Sequence, residues 1–403
     1  MRAEQIDAFF KSYSLNNPGN EIRLTEVLYP EGEPAHSQIP RYRNEFWTSQ
    51  QRQASSLHEV SYRACFKPQL PGFFIKNFSS EGDIVFDPFG GRGTTAIEAT
   101  LQGRKAISND INPLSRLLCE PRLSLISIND VIIRLNTIEL GTGLGSELDL
   151  SMFYHKNTLS EIVSLRNYLK ERKDSGVEDD VDRWIRMVAT NRLSGHSPGF
   201  FSVYTLPPNQ AVSPSRQVKI NKARNQEPPY RDVKQIILKK SRTLLARITK
   251  QEYANIHKYG HEALFLNNDA RSLEQINDGS VQLTVTSPPF LDVVQYATDN
   301  WLRCWFNAID IAEIEKNITM AKKIEDWCEV MQDVLNELFR ITRIGGYVAF
   351  EVGEVKKGKL FLDEYVIGLG INAGFSCLGI IENEQDFTKT SNIWGIANNS
   401  DGT

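Results

Sequence analysis

The run Asp83-Ile84-Val85-Phe86-Asp87-Pro88-Phe89-Gly90-Gly91-Arg92-Gly93-Thr94-Thr95 carries the signature of the fold. Its first residues form a short apolar strand. Ala96-Ile97-Glu98-Ala99-Thr100-Leu101, immediately after it, has helical character. The glycines between supply the positive φ and the close backbone approach that a tight strand-to-helix turn needs. A second short strand, Lys105-Ala106-Ile107-Ser108-Asn109, ends in Asp110. Strand, glycine turn, helix, strand and acid make the opening of a nucleotide-binding βαβ unit.

The turn departs from two familiar phosphate sites. Ala96 stands where a dinucleotide fingerprint would have its third glycine, and no Gly-Lys-Ser/Thr follows. Asp87 puts a carboxylate at the strand tip, where it would repel a pyrophosphate but suits an ammonium or a sulfonium. Asp110, 23 residues on, is placed to accept from ribose hydroxyls.

The same grammar resumes near residue 262. Leu264-Phe265-Leu266 leads to Asn267-Asn268-Asp269, and Val281-Gln282-Leu283-Thr284-Val285 runs into Thr286-Ser287-Pro288-Pro289-Phe290. Two prolines cannot extend a sheet, so their carbonyls are left to face whatever lies at its carboxyl edge. With the Ser287 hydroxyl and the flat face of Phe290 they can hold a planar amine. A helix through Met331, Val334 and Leu338 and the strand Tyr347–Val352 follow. The segments 375–381 and 393–396 read as a closing hairpin. A parallel α/β domain is thus interrupted between roughly 125 and 255. The predicted divisions are an N-terminal arm with little core of its own (1–55), a first catalytic part (56–125), an insertion (126–255) and a second catalytic part (256–403). In the insertion, prolines 207, 208, 214, 228 and 229 argue against a regular long helix after residue 194.

Taken together, Asp87-Pro88-Phe89-x-Gly91-x-Gly93-Thr94-Thr95 and Ser287-Pro288-Pro289-Phe290 resemble the S-adenosylmethionine-dependent amino-methyltransferases of DNA. The Ser-Pro-Pro-aromatic form is similar to the cytosine-N4 branch. The run Ser61–Leu70 resembles the family's segment before the first strand. The resemblance covers about residues 56–120 and 262–396. It implies an α/β, Rossmann-like methyltransferase sheet with a closing antiparallel hairpin, interrupted by a helical and then basic, loop-rich insertion.

It also implies residue roles. Tyr62, Phe66, Lys67, Asp87, Phe89, Gly91, Gly93 and Thr94 would surround the methionine part of S-adenosylmethionine. Asp110 would hold the ribose, and Asp269 would accept from the adenine amine. Ser287, Pro288, Pro289 and Phe290 would hold the target amine of an extruded base. The glycine turn here precedes Ser-Pro-Pro-Phe, an order better known among adenine enzymes, so adenine N6 stays beside cytosine N4 as the acceptor. The family also implies double-stranded DNA as substrate and a cognate restriction endonuclease as a partner.

The chain has 403 residues, 46 Lys+Arg and 50 Asp+Glu, for a net charge of −4. That total conceals a division. Residues 192–250 carry twelve Lys/Arg against Glu227 and Asp232, a surplus of +10, and the remainder carries −14. Arg216, Lys219, Lys222, Arg224 and Arg231 are the expected phosphate contacts. Interleaved amides (Gln210, Gln217, Asn221, Asn225 and Gln226) are the expected base readers.

Five cysteines without a CxxC pair suggest neither a disulfide framework nor zinc, and six histidines lack ligand spacing. No metal is expected. No cysteine follows a proline as a cytosine-C5 nucleophile would. No apolar run is long enough for a membrane span, and the opening residues do not read as a signal peptide, so a cytoplasmic protein is expected. Two rivals remain: an RNA methylase, and a non-catalytic DNA-binding protein on the same fold.

Overall fold

The computed structural model describes residues 3–13, 23–27, 39–47, 54–63, 65–206, 211–289, 299–317, 321, 323–355 and 360–383. The first part runs α1 (Ala3–Ser12), β1 (Arg23–Val27), β2 (Ile39–Asn44), α2 (Gln69–Phe78), β3 (Ile84–Asp87), α3 (Thr94–Leu101), β4 (Lys105–Asn109) and α4 (Leu114–Cys119). Helices then follow without a strand: α5 (Ile128–Thr137), α6 (Lys156–Asp174), α7 (Asp180–Arg192), α8 (Pro214–Arg224), α9 (Val233–Leu245) and α10 (Lys250–Tyr259). The last part comprises β5 (Leu264–Leu266), β6 (Val281–Thr286), α11 (Trp301–Asn307), α12 (Ile311–Asn317), α13 (Ile324–Ile341) and β7 (Thr342–Phe350). After it come β8 (Glu354–Val355), β9 (Leu360–Phe361), α14 (Leu362–Asn372) and β10 (Ile380–Asn383).

The central sheet has the order β5-β4-β3-β6-β7, and every pairing is parallel. This is the mixed α/β, Rossmann-like architecture expected from the βαβ pattern. The chain steps outward through β4 and β5 on one side of β3, then returns to β6 and β7 on the other. A crevice opens at the carboxyl ends of the strands where that direction reverses. All six residues of β6 are buried, although they alternate apolar and polar: Gln282 donates to the Phe78 carbonyl and Thr286 to Asp87.

One of the prolines that argued against a helix between β4 and β5, Pro214, instead begins one. Ser213 caps α8 and Pro214 occupies its first turn, where no N–H is needed. Asp179, Asp232 and Thr249 cap α7, α9 and α10. The basic stretch is therefore more helical than its prolines suggested, because proline starts a helix as readily as it breaks one. Trp184 of α7 is fully buried, and its Nε1 donates to Ser241 Oγ at 2.9 Å. One hydrophobic cluster runs from Ile6 and Phe73 through Ile97 to Trp184 and Phe306, so these helices share a core with the sheet.

One expectation, about the start of the chain, changes. The first 55 residues are not a coreless arm: Ile6, Phe10, Tyr42 and Phe46 are buried, and Phe10 packs on Phe73 and Phe78 of α2. The expected closing hairpin lies only partly within the described residues. Its first arm, β10, pairs in parallel with β2, and β1 pairs antiparallel with β2. Its second arm, 393–396, lies outside the described residues. Charge explains the partnership, because Arg41 and Arg43 of β2 both pair with Glu382 of β10. Among the described residues, no helix is long and apolar enough to cross a membrane.

Candidate functional site

The turn after β3 is shaped by two glycines in the left-handed region, Gly91 at φ +52° and Gly93 at φ +77°. A Cβ on Gly93 would lie 2.1 Å from Cys119 Sγ, so that glycine lets α3 pack against α4. Gly93 serves packing and does not line the cleft. Gly91 does line it, and its N–H donates to Asp110 Oδ2 at 2.7 Å. Lys67 is exposed and also lies outside the cleft wall.

The other described residues expected around the cofactor share one cleft: Tyr62, Phe66, Asp87, Phe89, Thr94, Asp110 and Asp269. Ser287, Pro288 and Pro289 line the same cleft from the end of β6. Phe290 lies outside the described residues. The two motifs, nearly two hundred residues apart in sequence, thus meet because β3 and β6 are neighbours.

Asp87 is 1% exposed, and its Oδ1 accepts from Phe89 N–H at 3.1 Å and Thr286 Oγ1 at 2.7 Å. Burial outweighs these bonds and pushes its pKa up to about 6. Asp110 accepts from the N–H groups of Gly91 and Asn112, and burial pushes it up to about 6 as well. Two carboxylates desolvated in one cleft favour a cationic ligand, whose charge would replace the lost hydration. A sulfonium nucleoside meets that demand. Asp269 is held below the ordinary carboxylate range by the Arg271 guanidinium, which it binds through both oxygens.

Three further residues build this site and were not singled out in the sequence. Asn109 is buried and stitches the turns together: its Nδ2 donates to the carbonyls of Pro88 and Asn268, and its Oδ1 accepts from Asn268 N–H. Trp327 of α13 lines the cleft, and its Nε1 donates to the Pro289 carbonyl at 2.9 Å. Glu351 follows β7, where its N–H donates to the Thr286 carbonyl at 2.8 Å. Its pKa is raised by burial, against the opposing influence of the neighbouring Ser287 hydroxyl, which favours the charged form. The last is signalled only by an acid at the end of a strand, a common feature.

On the insertion, Arg216, Lys219, Lys222 and Arg224 are exposed along α8. Arg224 lies 3.8 Å above the Tyr204 ring. Arg231 is half-buried on the connection to α9 and donates to the Pro198 carbonyl. Of the interleaved amides, Gln217, Asn221 and Gln226 turn inward, Asn225 is exposed, and Gln210 lies outside the described residues. Gln217 and Gln226 both donate to the Tyr204 carbonyl and to Asn221 Oδ1, and Asn221 donates to the Met152 carbonyl. These amides hold α8 in place; they do not face a ligand. Among the described residues, no group of three or more His, Cys, Asp and Glu side chains is arranged to hold a metal ion.

Residues 9–115, which include the glycine turn, match the DNA methylase family model. Over these residues the chain is similar to that family. It is 35% identical over 81 residues to the type II methyltransferase M.MjaII of Methanocaldococcus jannaschii, covering 20% of this chain and 15% of that protein. It is 45% identical over 62 residues to the orphan methyltransferase M.BamHII of Bacillus amyloliquefaciens, covering 15% and 23%. A third relative is the type II methyltransferase M.BsoBI of Geobacillus stearothermophilus, 36% identical over 76 residues, covering 18% and 15%. These alignments span less than a quarter of each relative.

Proposed function

We propose that the protein transfers a methyl group from S-adenosylmethionine to the exocyclic N4 amine of cytosine in double-stranded DNA. The observation that carries this reading is the shared cleft: the desolvated Asp87 and Asp110 face the same space as Ser287 and Pro288. Bound S-adenosylmethionine supplies an electrophilic methyl whose C–S bonding pair stays on sulfur when the methyl leaves.

The chain's own residues do the rest by position. Asp87 answers the cationic end of the cofactor, Asp110 accepts from ribose hydroxyls, and Asp269 accepts from the adenine amine. Glu351 takes the Ser287 O–H, which turns the lone pairs of Ser287 Oγ toward the target. Ser287 Oγ and the Pro288 carbonyl then accept from the amine, and its nitrogen lone pair is drawn out of conjugation toward the methyl group. After transfer the methylated nitrogen, now cationic, loses one proton to solvent water, leaving the neutral methylamino base and neutral thioether. Rate enhancement is mainly orientation and preset dipoles. The base must leave the duplex to reach this cleft, and Phe290 is the residue to stack on it.

Exposed Arg216, Lys219, Lys222 and Arg224 of α8 would meet phosphates. A restriction endonuclease reading the same site is the partner this role implies, in the cytoplasm. The order of the motifs supports a second acceptor, adenine N6. Nucleosides from DNA treated with the protein and cofactor, separated by mass spectrometry, decide between them. N4-methylcytosine is expected; N6-methyladenine moves the assignment to adenine; no methylated nucleoside overturns the activity.

A further inference from the structure

Pro288 and Pro289 have no N–H, so the loop after β6 cannot be fastened by the sheet ladder at those positions. Thr286 makes the last strand contact, to Glu351 N–H. Three residues later the loop is held by a side chain from elsewhere, the indole of Trp327, at 2.9 Å from the Pro289 carbonyl.

Trp327 is unusually placed for that task. It stands in the first turn of α13 and is 3% exposed. Its ring belongs to the cluster formed by Phe86, Ala270 and Ile276, so it is locked by packing. Met331 and Val334, on the same face of α13, line the cleft with it. One helix face therefore forms a cleft wall and also carries the donor that fixes the Ser287–Pro289 loop. An indole N–H on a rigid ring gives that carbonyl a single, directed donor.

We propose that Trp327 is a positioning residue: its N–H sets where Ser287 and Pro288 stand relative to a methyl donor bound in the cleft. This rests on the methyl-transfer reading above. Small errors in the approach of two reactants cost rate steeply, whereas affinity for the donor depends on the other wall of the cleft.

The test removes the donor and keeps an aromatic ring. Trp327→Phe is expected to lower kcat at least tenfold, with the Kd for S-adenosylmethionine changed less than threefold, in a protein that still unfolds cooperatively at a somewhat lower melting midpoint. An unchanged kcat overturns the proposal. Parallel loss of kcat and cofactor affinity also overturns it, since that would make the residue a wall element only. A second measurement does not depend on turnover. In ¹⁵N-labelled protein the indole N–H signal that disappears in Trp327→Phe is expected to show slow exchange with deuterated solvent. Rapid exchange of that signal would refute the tether, whatever the protein methylates. A protected signal in a protein that methylates nothing would leave the tether standing and bring down the reading of the reaction.

Discussion

The Thr286 hydroxyl donates to Asp87 Oδ1 across 2.7 Å, in the interior of the sheet. It joins the last residue of the strand that leads to Ser-Pro-Pro to the last residue of the strand that leads to the glycine turn. Thr286→Val keeps the shape and removes this donor. Asp87 then loses a bond that favours its charged form, so its pKa should climb above about 6. Cofactor binding, followed by calorimetry across pH, should begin to weaken at a higher pH in the variant than in the wild type. Superimposable profiles would remove Asp87 from cofactor binding.

The wild-type profile has a defined sign. A cation favours ionised Asp87 and Asp110, both raised to about 6 in the free protein. Protons must leave for the cofactor to bind. Affinity should be flat above about pH 7 and fall below about pH 6, by about tenfold per pH unit for each coupled carboxylate. Affinity that is constant down to about pH 5 would contradict a cationic ligand at this pair.

The same burial makes Asp87 a cost to the cofactor-free fold. Its pKa rises on folding from 3.8 to about 6, so the stability it contributes is present at low pH and is lost as pH rises through about 6. Asp87→Asn retains an oxygen for Phe89 N–H and Thr286 Oγ1 but carries no charge. It should stabilise the cofactor-free protein at neutral pH by roughly 1–3 kcal/mol, by denaturant titration, while abolishing cofactor binding. A destabilised variant would mean the hydrogen-bond geometry outweighs the desolvation.

Ser287 and Glu351 act as a pair in the proposed reaction. Ser287→Ala should lower kcat by about 10²-fold with little change in cofactor Kd. Glu351→Ala should lower kcat about tenfold, because the serine hydroxyl is freed to rotate. Glu351→Gln, which still offers an acceptor, should recover most of that loss. Equal effects of the two Glu351 variants would assign the residue a role in charge and not in orientation.

Helix α8 presents Arg216, Lys219 and Lys222 to solvent. Reversing all three to Glu should weaken DNA binding and flatten its dependence on log salt, by about 0.9 for each phosphate that is no longer neutralised. Fluorescence anisotropy from about 50 to about 200 mM salt measures both. Gln217→Ala should instead destabilise the fold, since its amide holds the Tyr204 carbonyl. A loss of sequence preference without loss of stability would return Gln217 to base reading.

Elements under purely local control were legible before any packing was known. Asp83–Thr95 reads as a strand and a turn because short apolar runs, aspartate and glycine carry their conformational preferences with them. Asp110 and Asp269 could likewise be placed at strand tips from the residues just before them. Whatever depends on which strand lies beside which was not legible, and the folded chain settled it. Pairing of β6 with β7 puts Thr286 opposite Phe350, and so brings Glu351 to Ser287. No periodicity in either strand encodes that meeting. Packing also turned Gln217, Asn221 and Gln226 inward, since an amide serves a base edge and an unpaired backbone carbonyl equally well. It gave Gly93 to Cys119 and Trp327 to Pro289 for the same reason. Hydrogen-bonding and steric capacity are written in the residue, but the partner that uses it is chosen by the three-dimensional arrangement of the chain.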